Sequence, residues 1–109
     1  MTESQAPSSR RRLSVVETSL PVLARGVRLR FDESRQRWVL LVPERVIAPD
    51  EIAVEILQLC DGRRPVAAII DQLAAAYAAP RDEIAADVIA MMQDLANSGF
   101  LIQAKEITP

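Results

Sequence analysis

The sequence predicts an α+β domain that is winged helix-turn-helix-like, a three-stranded antiparallel sheet followed by three helices. Three observations point there. Between Val27 and Ala48, short apolar stretches alternate with turn residues, as in a meander of strands. From Pro49 to Gly99, apolar residues recur at helical spacing, broken at Gly62–Pro65 and again at Pro80. The chain has 109 residues, half of them apolar and only 4% aromatic, which suits one compact domain with an aliphatic core.

Residues 1–19 read as a leader: Ser, Thr, Pro and Gln surround the run Arg10-Arg11-Arg12, and little there asks to be buried. The folded domain is expected over 20–102, with a short tail at 103–109. In Val27-Arg28-Leu29-Arg30-Phe31 apolar and basic residues alternate, the mark of a strand with one dry face. After the polar turn Asp32 to Arg37, Trp38 to Val42 is apolar on both faces and belongs in the middle of a sheet. Pro43-Glu44 breaks it, and Arg45 to Ala48 resumes as a short third strand on the sheet edge.

The first helix opens around Pro49, with Asp50 and Glu51 at its positive end. It carries Ile52, Ile56, Leu59 and Cys60 as one stripe and stops at Gly62. The second opens at Pro65, turns Val66, Ile69, Ile70, Leu73 and Tyr77 inward, and ends before Pro80. The third runs from Arg81 to Ser98, with Gly99 behind it, and Phe100-Leu101-Ile102 then folds back as an apolar latch. On a helical wheel Ile84, Val88, Met91 and Leu95 form an ordinary core stripe. Ala85, Ile89, Met92 and Ala96 widen the apolar sector to about 160°, more than packing on a core requires. This surplus, Met92 above all, is expected to line a groove, since a thioether makes an adaptable wall.

Composition removes most catalytic kits. With no histidine and a single cysteine there is no neutral-pH proton shuttle, no Cys–His pair, no internal disulfide and no cysteine zinc cluster, so neither a metal nor a cofactor is expected. Cys60 sits on an apolar stripe as a small core residue. The charge is polarised: net +4 through Arg45 and −6 beyond it, adding to −2 for the whole chain. The longest apolar run, Leu73 to Ala79, is far short of the roughly 20 residues of a membrane span, and the expected location is cytoplasmic. DNA binding, which the helix-turn-helix shape invites, is opposed by Asp82, Glu83, Asp87 and Asp94 on the helix that would enter the groove. A recognition mode remains. An edge strand offers unpaired backbone groups to an extended peptide, and a neighbouring apolar helix holds the peptide's alternate side chains. Arg45, Arg28 and Arg30 are placed to steer an acidic peptide.

Leu23 to Asp32 (LARGVRLRFD), Trp38 to Val46 (WVLLVPERV), Ile56 to Gly62 (ILQLCDG) and Ile84 to Val88 (IAADV) together resemble the PqqD family of pyrroloquinoline quinone biosynthesis, a resemblance that covers Leu20 to Ile102. It implies a peptide chaperone that carries no catalysis. Such a protein binds the precursor peptide PqqA and presents it to PqqE, a radical S-adenosylmethionine enzyme. The peptide would lie between the third strand of the meander and the third helix. Carried over to this chain, Arg45, Val46, Ile47 and Ala48 form one wall, and Ile84, Asp87, Val88, Met91, Met92 and Leu95 are candidates for the other. The chain departs from such sequences at Pro65, where they often place a Thr or Ser helix cap. A recognition element for another ribosomally made, modified peptide is the alternative. Short strands and a long leader also allow segment exchange between copies, so a homodimer is among the expected partners.

Overall fold

The computed structural model describes residues 13–104. The arginine run and the end of the tail lie outside the described residues. The elements are β1 (Pro21–Leu23), β2 (Arg28–Asp32), β3 (Arg37–Val42), β4 (Arg45–Ile47), α1 (Glu51–Leu59), α2 (Val66–Tyr77), α3 (Arg81–Asn97) and β5 (Leu101–Gln103). The meander forms as expected, an antiparallel sheet in the order β2-β3-β4 with three helices after it.

Each turn has a local cause. Asp32 Oδ1 accepts from the Ser34 hydroxyl and from the backbone N–H of Ser34 and Arg35, which folds the β2–β3 connection. Those hydrogen bonds, led by the one from the Ser34 hydroxyl, hold the Asp32 carboxyl below its ordinary pKa. Pro43-Glu44 closes β3–β4: proline fixes the first central position and Glu44 takes a left-handed φ of 72°, the pattern of a type II turn. The register, with Arg28 opposite Leu41, Arg30 opposite Val39 and Leu41 opposite Val46, sorts the side chains into two faces. Leu29, Leu40, Val42 and Ile47 turn toward the helices, while Arg28, Arg30, Asp32, Val39, Leu41 and Val46 share the outer face.

The helices build the core. Asp50 caps α1 by accepting from the Ala53 N–H at 2.8 Å, and Ala53, Val54, Ile56 and Leu57 are buried. Ile56 and Cys60 of the expected stripe are interior. Ile52, in the first turn of this short helix, is 47% exposed, so its place in that stripe is corrected. Val66, Ile69, Ile70 and Leu73 of α2 are buried as expected. Tyr77 is not; at the last turn of the helix it is 47% exposed and its hydroxyl donates to Glu55.

Two further segments join the fold. β1 pairs antiparallel with β5, Pro21 with Gln103 and Leu23 with Leu101, so the expected latch is a strand and the tail begins after Gln103. A third thread crosses this pair where Gly62 N–H donates to the Pro21 carbonyl. Gly62 has a φ of +77°, and a Cβ there would stand 3.2 Å from both the Val22 and Ala104 Cβ atoms. A side chain there would crowd Val22 and Ala104 and would hold the backbone in a strained left-handed conformation.

The leader, expected to run through Ser19, is packed from Leu13 onward. Leu13 and Val15 are buried in the core cluster. Gln93 of α3 clamps them, its amide oxygen accepting from Val15 N–H and its amide N–H donating to the Leu13 carbonyl. The carbonyls of Ser19 and Glu17 accept from Val66 and Ala67 N–H, each at 2.9 Å. They fill the role of the side-chain cap that Pro65 cannot provide.

Candidate functional site

β4 is the place to begin. Among the described residues it pairs with β3 alone, so its other edge is open. A two-residue turn is flanked by a hydrogen-bonded pair, here Val42 and Arg45, and the bonding pattern alternates from there. Arg45 and Ile47 therefore direct their N–H groups at β3. Val46, 55% exposed, directs both its N–H and its carbonyl outward. That is one donor and one acceptor free for an incoming strand.

Five residues after Ile47 the chain reaches Ile52, which stands on the rim of an apolar cavity of about 260 Å³. Ile52 and Ile56 of α1, Leu73 and Tyr77 of α2, and Ile84, Asp87, Val88 and Met91 of α3 line it. The four α3 residues follow the i, i+3, i+4, i+7 spacing that puts them on one stripe. Asp87 is the one carboxylate on this wall. A larger depression of about 420 Å³ lies beyond Tyr77, but Arg37, Glu51 and Glu55 on its walls make it a wetter, more polar surface. Tyr77 borders both. Its bond to Glu55, the main cause, raises the phenol above its ordinary pKa.

Ten residues were expected here. Ile84, Asp87, Val88 and Met91 meet in the cavity, and Leu95, one turn on from Met91, is half-buried against the core. Arg45, Val46, Ile47 and Ala48 supply the open edge but do not line the cavity. Met92 is the correction. It is fully buried, with Val88 and Ala96 beside it in the core, and so it cannot wall a groove. The apolar sector of α3 is too wide for one duty, as the wheel suggests, but the two stripes are exchanged: the Met92 side packs, and the Ile84–Met91 side faces the cavity. Arg28 and Arg30, expected to steer a peptide, lie on the outer face of the sheet. Ile52 and Tyr77 went unrecognised as site residues because their spacing fits a core stripe; only their position near helix ends hints otherwise.

Cys60 is buried away from the site. Burial pushes its thiol up to about 12, and its Sγ–H donates to the Ile56 carbonyl. Among the described residues no three His, Cys, Asp or Glu gather as metal ligands, and no helix is long and apolar enough to cross a membrane.

An open strand edge, joined by a five-residue step to the rim of an apolar interhelical cavity, suits a domain that receives an extended segment. Comparison with known proteins agrees. The family described as "Coenzyme PQQ synthesis protein D (PqqD)" matches residues 37–101. A "PqqA binding protein" of Rhodopseudomonas palustris (strain TIE-1) is 71% identical over 99 residues, spanning 91% of this chain and 97% of that protein. One of the same description from Bradyrhizobium diazoefficiens is 62% identical over 98 residues, covering 90% and 95%. The solution structure of the PqqD truncation of Methylobacterium extorquens PqqCD, described as a functional, stand-alone recognition element for ribosomally synthesised and modified peptides, superposes with a TM-score of 0.69. It is 43% identical and covers 82% of this chain and 95% of that one. The chain belongs to the PqqD family.

Proposed function

We propose that this protein captures the precursor peptide PqqA by adding it as a strand to β4, and presents it to PqqE without itself transforming it. The open edge at Val46, leading along the chain to Ile52 on the cavity rim, is the observation that carries this reading. Backbone pairing supplies affinity, and alternate peptide side chains reach the wall formed by Ile84, Asp87, Val88 and Met91. The names of the R. palustris and B. diazoefficiens relatives support PqqA as the peptide. The acidic surface of α3, where Asp82, Glu83, Asp87 and Asp94 are exposed, speaks against nucleic acid as the ligand.

The test separates two neighbouring positions. Val46→Pro removes an outward donor and should weaken PqqA binding at least about tenfold in a calorimetric titration, with stability changed by less than about 1 kcal/mol. Ile47→Pro removes a donor aimed at β3 and should destabilise the sheet, by about 1–3 kcal/mol. Unchanged affinity in folded Val46→Pro would sink strand addition. An unrelated leader peptide bound as tightly as PqqA would point instead to a recognition element of another pathway.

A further inference from the structure

The sheet has a second face that peptide capture leaves unused. On it Leu41 and Val46 continue a row from the buried Val39, with Arg28 and Arg30 beside them and Asp32 and Glu33 confined to the end at the β2–β3 turn. Both arginines are exposed, and neither has an ion-pair partner among the described residues. The imbalance is regional. Six arginines face three acids between Arg25 and Ile47, whereas three arginines face nine acids between Asp50 and Asn97. Unpaired guanidinium groups around aliphatic side chains fit a folded acidic surface, which can bury the row while its carboxylates take the bidentate donors. Nucleic acid would leave that row without a partner.

We propose that this outer face docks an acidic patch of the enzyme that acts on the captured peptide. The inference rests on strand addition at β4. A strand paired there extends the sheet, and its side chains alternate between the two faces. Half turn inward with Ile47, toward the helices. The other half continue the cross-strand row Arg28, Leu41, Val46 on the outer face. A partner seated on that face touches the carrier and the outward side chains of its cargo together. It therefore binds the loaded carrier in preference to the empty one.

The experiment uses the full chain with paired charge reversal, Arg28→Glu with Arg30→Glu, and the neutral pair Arg28→Gln with Arg30→Gln as a milder second variant. Arg63→Glu, on the α1–α2 loop, places half of the Glu pair's charge change away from this face and serves as the positional control. PqqA and PqqE are titrated separately and together. The proposal expects PqqA affinity within about twofold of the unmodified chain for every variant. It expects PqqE affinity reduced about tenfold or more by the Glu pair, less by the Gln pair and hardly at all by Arg63→Glu, and weakened further by salt. Undiminished PqqE binding by either folded pair overturns it. So does a parallel loss of PqqA affinity, which would assign the face to the peptide, or salt-sensitive DNA retention abolished by the Glu pair. Failure of the unmodified chain to bind PqqA would instead refute the peptide-capture reading, and is scored before any variant is compared.

Discussion

Met91 and Met92 are adjacent in sequence and stand in different environments. Met92 is fully buried beneath α3, while Met91 is half-buried on the cavity wall. Met92→Ala should cost about 2–5 kcal/mol of stability in a denaturant melt and leave PqqA affinity of the folded protein unchanged. Met91→Asp should behave in the opposite sense, folding with little loss but binding the peptide about tenfold or more weakly, because an apolar contact of about 1.5–3 kcal/mol is replaced by a charge. If Met92→Ala impairs binding more than folding, the assignment of the two stripes is wrong. Sequence periodicity could show that α3 carries two apolar duties. It could not say which stripe meets which, since a wheel has no fixed orientation until the neighbouring elements are in place. Asp87 was the usable hint: a carboxylate beside Ile84 and Met91 marks the stripe that tolerates water.

At the scale of elements, legibility followed local chemistry. The three helices announce their ends through Asp50, Gly62, the Ala78–Pro80 turn and Gly99, and the meander through its alternation and short turns. β1 and β5 gave no such signal. Each has three residues, too few for a period, and their pairing joins segments about eighty positions apart. The start of α2 is also long-range, because its cap comes from the carbonyls of Glu17 and Ser19. Arg81 secures that arrangement, reaching both Glu17 carboxylate oxygens and Asp71. The hydrogen bond from Arg81 is the main cause of the lowered Glu17 pKa, relative to an ordinary 4.5. A depressed carboxylate contributes stability above its unfolded pKa and loses it as pH falls through the folded value. The clasp should therefore hold at pH 5 to 7 and loosen well below pH 4.5. Amide protection at Val66 and Ala67 is the measure: their protection factors, relative to the intrinsic exchange rate at each pH, should fall selectively in acid, and Glu17→Gln should lower them at neutral pH. Protection that stays uniform in both would remove the clasp from the account.

For the molecule as a whole, the fold is a small sheet and three helices whose two ends are sewn onto the outside, residues 13–19 by α2 and α3 and β5 by β1. The opening segment reads as a leader because its composition is polar on average, yet Leu13 and Val15 are part of the core. Two buried side chains carry the packing, and an average over nineteen residues conceals them. Removing residues 1–19 should lower stability by several kcal/mol, with the melting temperature down by an order of 10–20 °C, while whatever remains folded still binds PqqA. An unchanged melting temperature would show that the arm only rests on the surface. The position of Gln93 gives the arm a further consequence. On α3 it lies roughly 180° around the helix from Ile84, so the strap it holds runs along the flank farthest from the cavity. A fluorophore or a fused protein attached ahead of Leu13 would thus be carried on the back of the helix, leaving the mouth of the receptor clear. That makes the amino end the natural handle for immobilising this protein in a sensor for its peptide.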